Sequence, residues 1–236
     1  MYLNNKTGHY LLFTVFFLSF IYGLPALEIY VSEAGLSLNY SLEHNRSFNF
    51  IHNAGLSGGI EFNERYNMGA GFALGAISGE REINAFLSNS FAVFPVIPLV
   101  VNFNYIYHGM PGYRMQSHSL LPFISYEGSR AGIALGLNLR TTVFFNDYHI
   151  FESIIIIRLY YNIVIGNTYM LGIRLSNFGD FTAGNFGSNS ITLYYTAGIN
   201  ENWSFRGEAE LMQSGSESQT AVFYGYRLTG GVKYTW

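Results

Sequence analysis

The chain has 236 residues, no cysteine and a formal net charge of −3, with 49% apolar, 18% aromatic and only 11% charged side chains. Soluble domains carry about 25% charged residues, so this composition leaves too little polar surface to face water everywhere. The aromatic content excludes a disordered chain, the missing cysteine excludes a disulfide scaffold, and 12 scattered Lys+Arg leave no nucleic-acid footprint.

Residues 1–26 read as a secretory signal peptide. Lys6 and His9 lie in a polar start without acids, an apolar run spans 11–22, and Gly23-Leu-Pro-Ala26 offers a cleavage site after Ala26, with Glu28 the first acid. The run is short for a membrane helix. Without a cysteine thiol there is no lipoprotein anchor. Residues 27–236 are then one all-β domain. Later apolar stretches at 91–101 and 154–165 are broken by Pro95 and Pro98, and by Arg158 and Asn162. No membrane helix is expected there.

From residue 36 onward, apolar side chains recur at every second position, the period of a strand with two unlike faces. About twelve such segments follow in order: 36–42, 54–62, 68–76, 83–93, 99–107, 120–126, 131–143, 155–163, 169–175, 191–199, 203–211 and 222–236. Ten or fourteen strands are the neighbouring counts. Asn89 breaks the pattern of the fourth. Connectors at 63–67, 94–98, 127–130, 166–168 and 200–202 are short, whereas those at 44–53, 78–82, 109–117, 146–152, 177–189 and 213–219 are mostly longer and more polar. That alternation fits a single antiparallel transmembrane β-barrel with two unlike rims.

A soluble barrel or sandwich would turn the apolar register inward. An eight-strand barrel is already about filled by side chains, so twelve strands lined by Leu and Ile would enclose a dry hole. The opposite register carries the Asn, Ser, Gly and nearly all in-strand charges. Tyr169, Trp203, Tyr234 and Trp236 collect at the short-turn ends, as an aromatic girdle would. The apolar register is therefore expected to face lipid.

The chain closes Tyr226-Arg-Leu-Thr-Gly-Gly-Val-Lys-Tyr-Thr-Trp236. This ending resembles the C-terminal recognition signal of Gram-negative outer-membrane barrels, and the whole mature pattern resembles a small porin-like barrel. The resemblance implies export, an outer-membrane address among outer-membrane lipid, and insertion by the barrel-assembly machinery through Trp236.

The other register is expected to line the lumen. The second and third segments present a nearly bare wall: Gly55, Ser57, Gly59, Glu61, Gly69, Gly71, Ala73 and Gly75. The far wall presents Arg140, Arg158, Arg174, Arg206, Arg227 and Lys233, with Glu208 and Glu210 beside them. Guanidinium groups in a narrow pore favour anions, which points to a diffusion channel for small polar or anionic solutes. Alternatively the arginines pair with Glu61, Glu127, Glu208 and Glu210 as struts across a closed lumen, and function lies in the loops 109–117 and 177–189. Phe86, Phe94, Ile106, Leu121, Phe123, Ile154, Ile156, Tyr160, Tyr194 and Phe223 also fall in the inward register, which suits a plugged barrel or a hydrophobic passenger.

Enzyme signals are weak. His44, His52, His108, His118 and His149 read as external-loop histidines. His118-Ser119 near Glu127 is the only neighbourhood with base, hydroxyl and acid together, and the strand carries Glu127 to the other rim. No Gly-x-Ser-x-Gly and no His-Glu-x-x-His occurs. No enzyme, cofactor or resident metal is expected.

Overall fold

The structure, a computed structural model, describes residues 31–45, 51–77, 80–94, 97–144, 148–177, 189–214 and 222–236. The signal-peptide reading of residues 1–26 lies outside them. Twelve strands follow one another: β1 (Val31–Asn45), β2 (Ile51–Phe62), β3 (Tyr66–Ile77), β4 (Glu80–Ala92), β5 (Leu99–Met110), β6 (Met115–Glu127), β7 (Ala131–Val143), β8 (His149–Ile165), β9 (Tyr169–Ser176), β10 (Asn189–Gly198), β11 (Trp203–Ser214) and β12 (Val222–Thr235). Each pairs antiparallel with its chain neighbours, and β1 pairs with β12, so the sheet closes into a barrel. Closure leaves no strand edge with unpaired backbone groups, the condition for a sheet in lipid.

The apolar register faces outward. On β7, Leu135 is 56% exposed and its neighbour Ala134 only 7%; on β8, Ile157 is 43% exposed and Ile156 only 1%. Charge follows the same division. Among the described strand residues, Glu33, Glu43, Glu61, Glu80, Glu82, Glu127, Glu152, Glu208 and Glu210 all share the inward register with Arg140, Arg158, Arg174, Arg206, Arg227 and Lys233. Arg81 is the one formally charged strand side chain pointing out among them. A cation at the bilayer midplane costs roughly 2–4 kcal/mol, so an outer face stripped of charge is what lipid requires. Asn89, the polar intruder on that face, accepts a hydrogen bond from the Tyr66 hydroxyl at 2.8 Å.

Both strand termini, Val31 and Thr235, lie at one rim, here the near rim. It holds the connectors 63–65, 93–98, 128–130, 166–168 and 199–202; the far rim holds 46–50, 78–79, 111–114, 144–148, 177–188 and 215–221. The longest connectors are at the far rim, which marks it as external. Two expectations about these connectors need correction. The segment 109–117 is no long loop: β5 runs to Met110, β6 starts at Met115, and the turn between is closed by Tyr113 N–H to Met110 O (3.1 Å) and Arg114 N–H to Pro111 O (3.0 Å). The connector 93–98 at the near rim exceeds 78–79 at the far one. Residues 178–188 lie outside the described residues.

At the near rim Trp203 and Tyr234 are cross-strand partners with ring centroids 5.0 Å apart, and Tyr234 continues to Trp236 at 5.8 Å. The aromatic girdle is therefore a packed row on β11–β12.

Candidate functional site: the barrel lumen

The two halves of the lumen carry opposite charge. On β7–β12 the inward register holds Arg140, Arg158, Arg174, Arg206, Arg227 and Lys233 against Glu152, Glu208 and Glu210. On β1–β6 it holds Glu33, Glu43, Glu61, Glu80, Glu82 and Glu127 with no lysine or arginine. The lumen is thus not a cationic ring. It has a basic wall facing an acidic one, and the field runs across the bore.

The basic wall is cross-linked. Glu208 accepts from Arg174 Nη2 at 3.0 Å and from Arg206 Nε at 2.7 Å, and Arg227 pairs with Glu210. Arg140 donates to Ser119 Oγ at 3.2 Å and stands opposite Glu152 in the ladder. At the near mouth Lys233 reaches Glu33 at 2.9 Å. Arg174 and Glu208 are mostly buried within the lumen, whereas Arg206 is 57% exposed toward it. Of the eight residues expected along a pore, Arg174, Arg206 and Glu208 form one cluster and Arg227 and Glu210 another, while Glu61 stands apart on β2 beside the near mouth.

A patch of apolar side chains lies on the inner wall of β5–β8, where the acidic and basic halves meet. Leu121, Phe123, Ala134 and Ile156 are buried against one another with Ile106 packed on them. Phe94, expected inward, sits exposed in the connector 93–98, and the Phe223 side chain lies outside the described residues. A second small cluster, Ile51, Met110 and Met115, packs at the far-rim ends of β2, β5 and β6 beside the tight 111–114 turn.

Each inward aromatic of the described side chains lies over a glycine. Phe86 stands opposite Gly71, Phe123 opposite Gly136, Tyr160 opposite Gly132 and Tyr194 opposite Gly172 in the strand register. A Cβ on these glycines would fall 2.1 to 2.4 Å from the facing aromatic residue. At Gly71, Gly132 and Gly172 the missing Cβ leaves room for the facing ring, and at Gly136 for the Cβ and backbone of Phe123. Two of the rings are also tethered. The Tyr160 hydroxyl donates to Gly128 O at 2.7 Å, and Tyr194 donates to Asn162, whose amide holds Ser129 O. The 128–130 turn is thereby pinned to β8 and β10.

Where the rings do not reach, space remains. A cavity of about 280 Å³ opens along β1–β4 toward the near rim, lined among others by Glu33, Ser37, Ser57, Glu61, Ser88 and Lys233.

The five histidines expected in external loops are strand residues instead, one on the inward face and four on the outward. His108 points inward and pairs with buried Glu82 at 3.1 Å. His44, His52, His118 and His149 are in the outward register. The strands run past the apolar segments to the far rim, which brings these residues into the ladder. His118 and Ser119 consequently point to opposite sides of the wall: His118 Nδ1 bonds the Tyr105 hydroxyl at 2.6 Å outside, while Ser119 faces the lumen and meets Arg140. They form no catalytic pair. Glu43, Glu82 and Asn162, all buried inward, were not singled out from the sequence; their shared register with Glu61 and Arg158 was the available signal.

No protein-family model matches the chain, and no curated protein sequence does. Solved structures do. The KdgM porin, determined in complex with disordered oligogalacturonate, superposes with a TM-score of 0.56 at 11% identity over 86% of this chain and 99% of its own. The NanC porin gives 0.56 at 7% identity over 84% and 98%. An outer membrane channel from Pseudomonas putida F1 gives 0.54 at 10% identity over 89% and 97%. At such identities the likeness is one of fold. Together with an apolar exterior that carries a single formal charge among the described strand residues, it defines the class: an integral outer-membrane β-barrel of porin-like architecture.

Proposed function

We propose that the barrel is a narrow diffusion channel for small polar solutes, anionic ones included. The observation that carries the reading is the transverse division of charge, arginines on β7–β12 against carboxylates on β1–β6, beside a cavity open to the near rim. A solute with an anionic and a hydroxylated side would keep its charge along the arginine wall and its hydroxyls along the Ser and Gly wall. Glu208 is shared by two guanidinium groups, so that cluster keeps a net positive charge available to a passing carboxylate. The neighbouring porin solved with an oligogalacturonate supports an acidic sugar as one solute of this kind.

Recording from the refolded barrel in a planar bilayer tests this. Small single-channel steps are expected, with the double substitution Arg158→Ser and Arg174→Ser moving the reversal potential toward cation selectivity. A silent barrel would instead support the strut reading, in which the same ion pairs close the lumen.

A further inference from the structure

Four histidines and one arginine on the outer surface are left unused by a channel. His44 ends β1 one residue before Asn45, His52 is the second residue of β2, Arg81 the second of β4, His118 the fourth of β6 and His149 the first of β8. All lie at the far-rim ends of their strands and in the outward register. The carboxylates at the same level, Glu43, Glu80, Glu82 and Glu152, all lie in the inward register. The outer wall at the external rim therefore offers basic and imidazole groups and no described acid, directly above an apolar band.

These groups are built in rather than strewn. Tyr40 hydroxyl bonds His52 Nδ1 at 2.6 Å, and Tyr105 hydroxyl bonds His118 Nδ1 at 2.6 Å. The geometry is the same twice. In each case the histidine sits two ladder positions from the residue facing its tyrosine, since Tyr40 opposes Ala54 and Tyr105 opposes Leu120. His44 stacks on its cross-strand partner Tyr226 with centroids 5.5 Å apart and planes 14° from parallel. The tyrosine bond occupies Nδ1 and leaves the Nε2 side of each ring for another partner.

The ladder places His52, Ala76 and Arg81 in one row across β2, β3 and β4. Strands are spaced about 4.8 Å apart, so His52 and Arg81 flank a gap of roughly 10 Å, with small Ala76 as its floor. His44 lies on β1 two residues beyond Leu42, the ladder partner of His52. We infer that this His44–His52–Arg81 patch binds the phosphorylated head group of a lipid in the outer leaflet, whose acyl chains lie on the Leu and Phe band below. A phosphate fits because it is anionic, accepts several hydrogen bonds at once, and is the group that a lipid carries at this depth.

The test uses the full refolded barrel in dodecyl maltoside micelles, which carry no phosphate, doped with either phosphatidic acid or diacylglycerol of the same acyl chains, with retained lipid counted by native mass spectrometry. Phosphatidic acid is expected to be retained over diacylglycerol, and excess inorganic phosphate should not displace it. The combined substitution His44→Gln, His52→Gln and Arg81→Gln should erase the preference while single-channel conductance stays as in the parent. Arg81→Gln alone, which touches neither the lumen nor the tyrosine–histidine pairs, should lower the preference about fivefold, the effect of one basic residue at an anionic lipid surface. Equal retention of the two lipids, a preference that survives the substitutions, or full displacement by inorganic phosphate would overturn the inference. Loss of conductance in the parent would bear on the channel alone, because the lipid patch does not depend on an open lumen.

Discussion

Glycine shows how much a single residue's meaning depends on its partner. Gly136 accepts the Phe123 side chain so closely that a Cβ there would meet both Phe123 Cβ and Pro122 O at 2.3 Å, whereas a Cβ on Gly230 would meet nothing within 4 Å. The backbone oxygen does not move aside as a flexible side chain would. Gly136→Ala should therefore destabilise the barrel by roughly 1–3 kcal/mol, the usual toll of overpacking, and Gly230→Ala should leave it within a few tenths. Urea unfolding of the two variants in lipid vesicles, read by tryptophan fluorescence, checks the contrast; equal stabilities would refute the seat. The sequence exposes Gly55 to Gly75 as a bare wall because those glycines recur on two successive strands. Gly132, Gly136 and Gly172 stand singly, and their aromatic partners belong to other strands. Only the register joins them, and register is a property of pairing, not of either strand alone.

At the level of elements, strand number, order and lipid-facing register were legible, since a period of two with an apolar face survives in every strand. Strand ends were not. His44, His52, His108 and Ser117 look like loop residues when only the apolar register is followed, yet all are in the ladder. A barrel strand continues beyond the hydrocarbon, where either face admits polar side chains, so the apolar pattern stops before the hydrogen bonds do. Turn chemistry supplies a prediction here. Asn63 and Glu64 both hold left-handed backbone, φ 53° and 55°, between β2 and β3, the conformation of a two-residue hairpin turn that favours Asn followed by Gly. Glu64 bears the Cβ cost of that conformation, about 1 kcal/mol. Its N–H is held by Ser32 Oγ at 3.1 Å, a bond that glycine keeps. Glu64→Gly should thus raise stability by about 0.5–1 kcal/mol in vesicle unfolding, and a loss would show that the side chain supplies more than the strain costs. The strand body gives the opposite case. Leu137 is outward and 41% exposed at the centre of β7, so Leu137→Arg should cost roughly 2–4 kcal/mol and slow insertion into vesicles. An unaffected Leu137→Arg barrel would mean that this face never meets hydrocarbon.

For the whole molecule, the question is what limits the bore. Pairing of arginines with carboxylates and a basic far wall were anticipated, but the acidic wall opposite was not, because it depends on which strands lie opposite once the sheet has closed. The ion pairs between β9 and β11 and between β11 and β12 run along the circumference. On the inward register of the adjacent strands β5–β8 the packed group is instead apolar: Leu121, Phe123 and Ile156, with Ile106 against them. These residues should set the size of the passage, while the arginines set its charge preference. Shortening Leu121 and Ile156 to Ser removes buried methyl groups at some cost in stability but opens the middle of the bore to water. A barrel is held chiefly by its closed ladder, so it should still fold in vesicles. Single-channel conductance should rise severalfold, with ion selectivity close to that of the parent, whereas Arg158→Ser with Arg174→Ser should shift selectivity and barely change conductance. If the serine pair altered selectivity but not conductance, the constriction would lie at the charged walls and the apolar cluster would be packing alone.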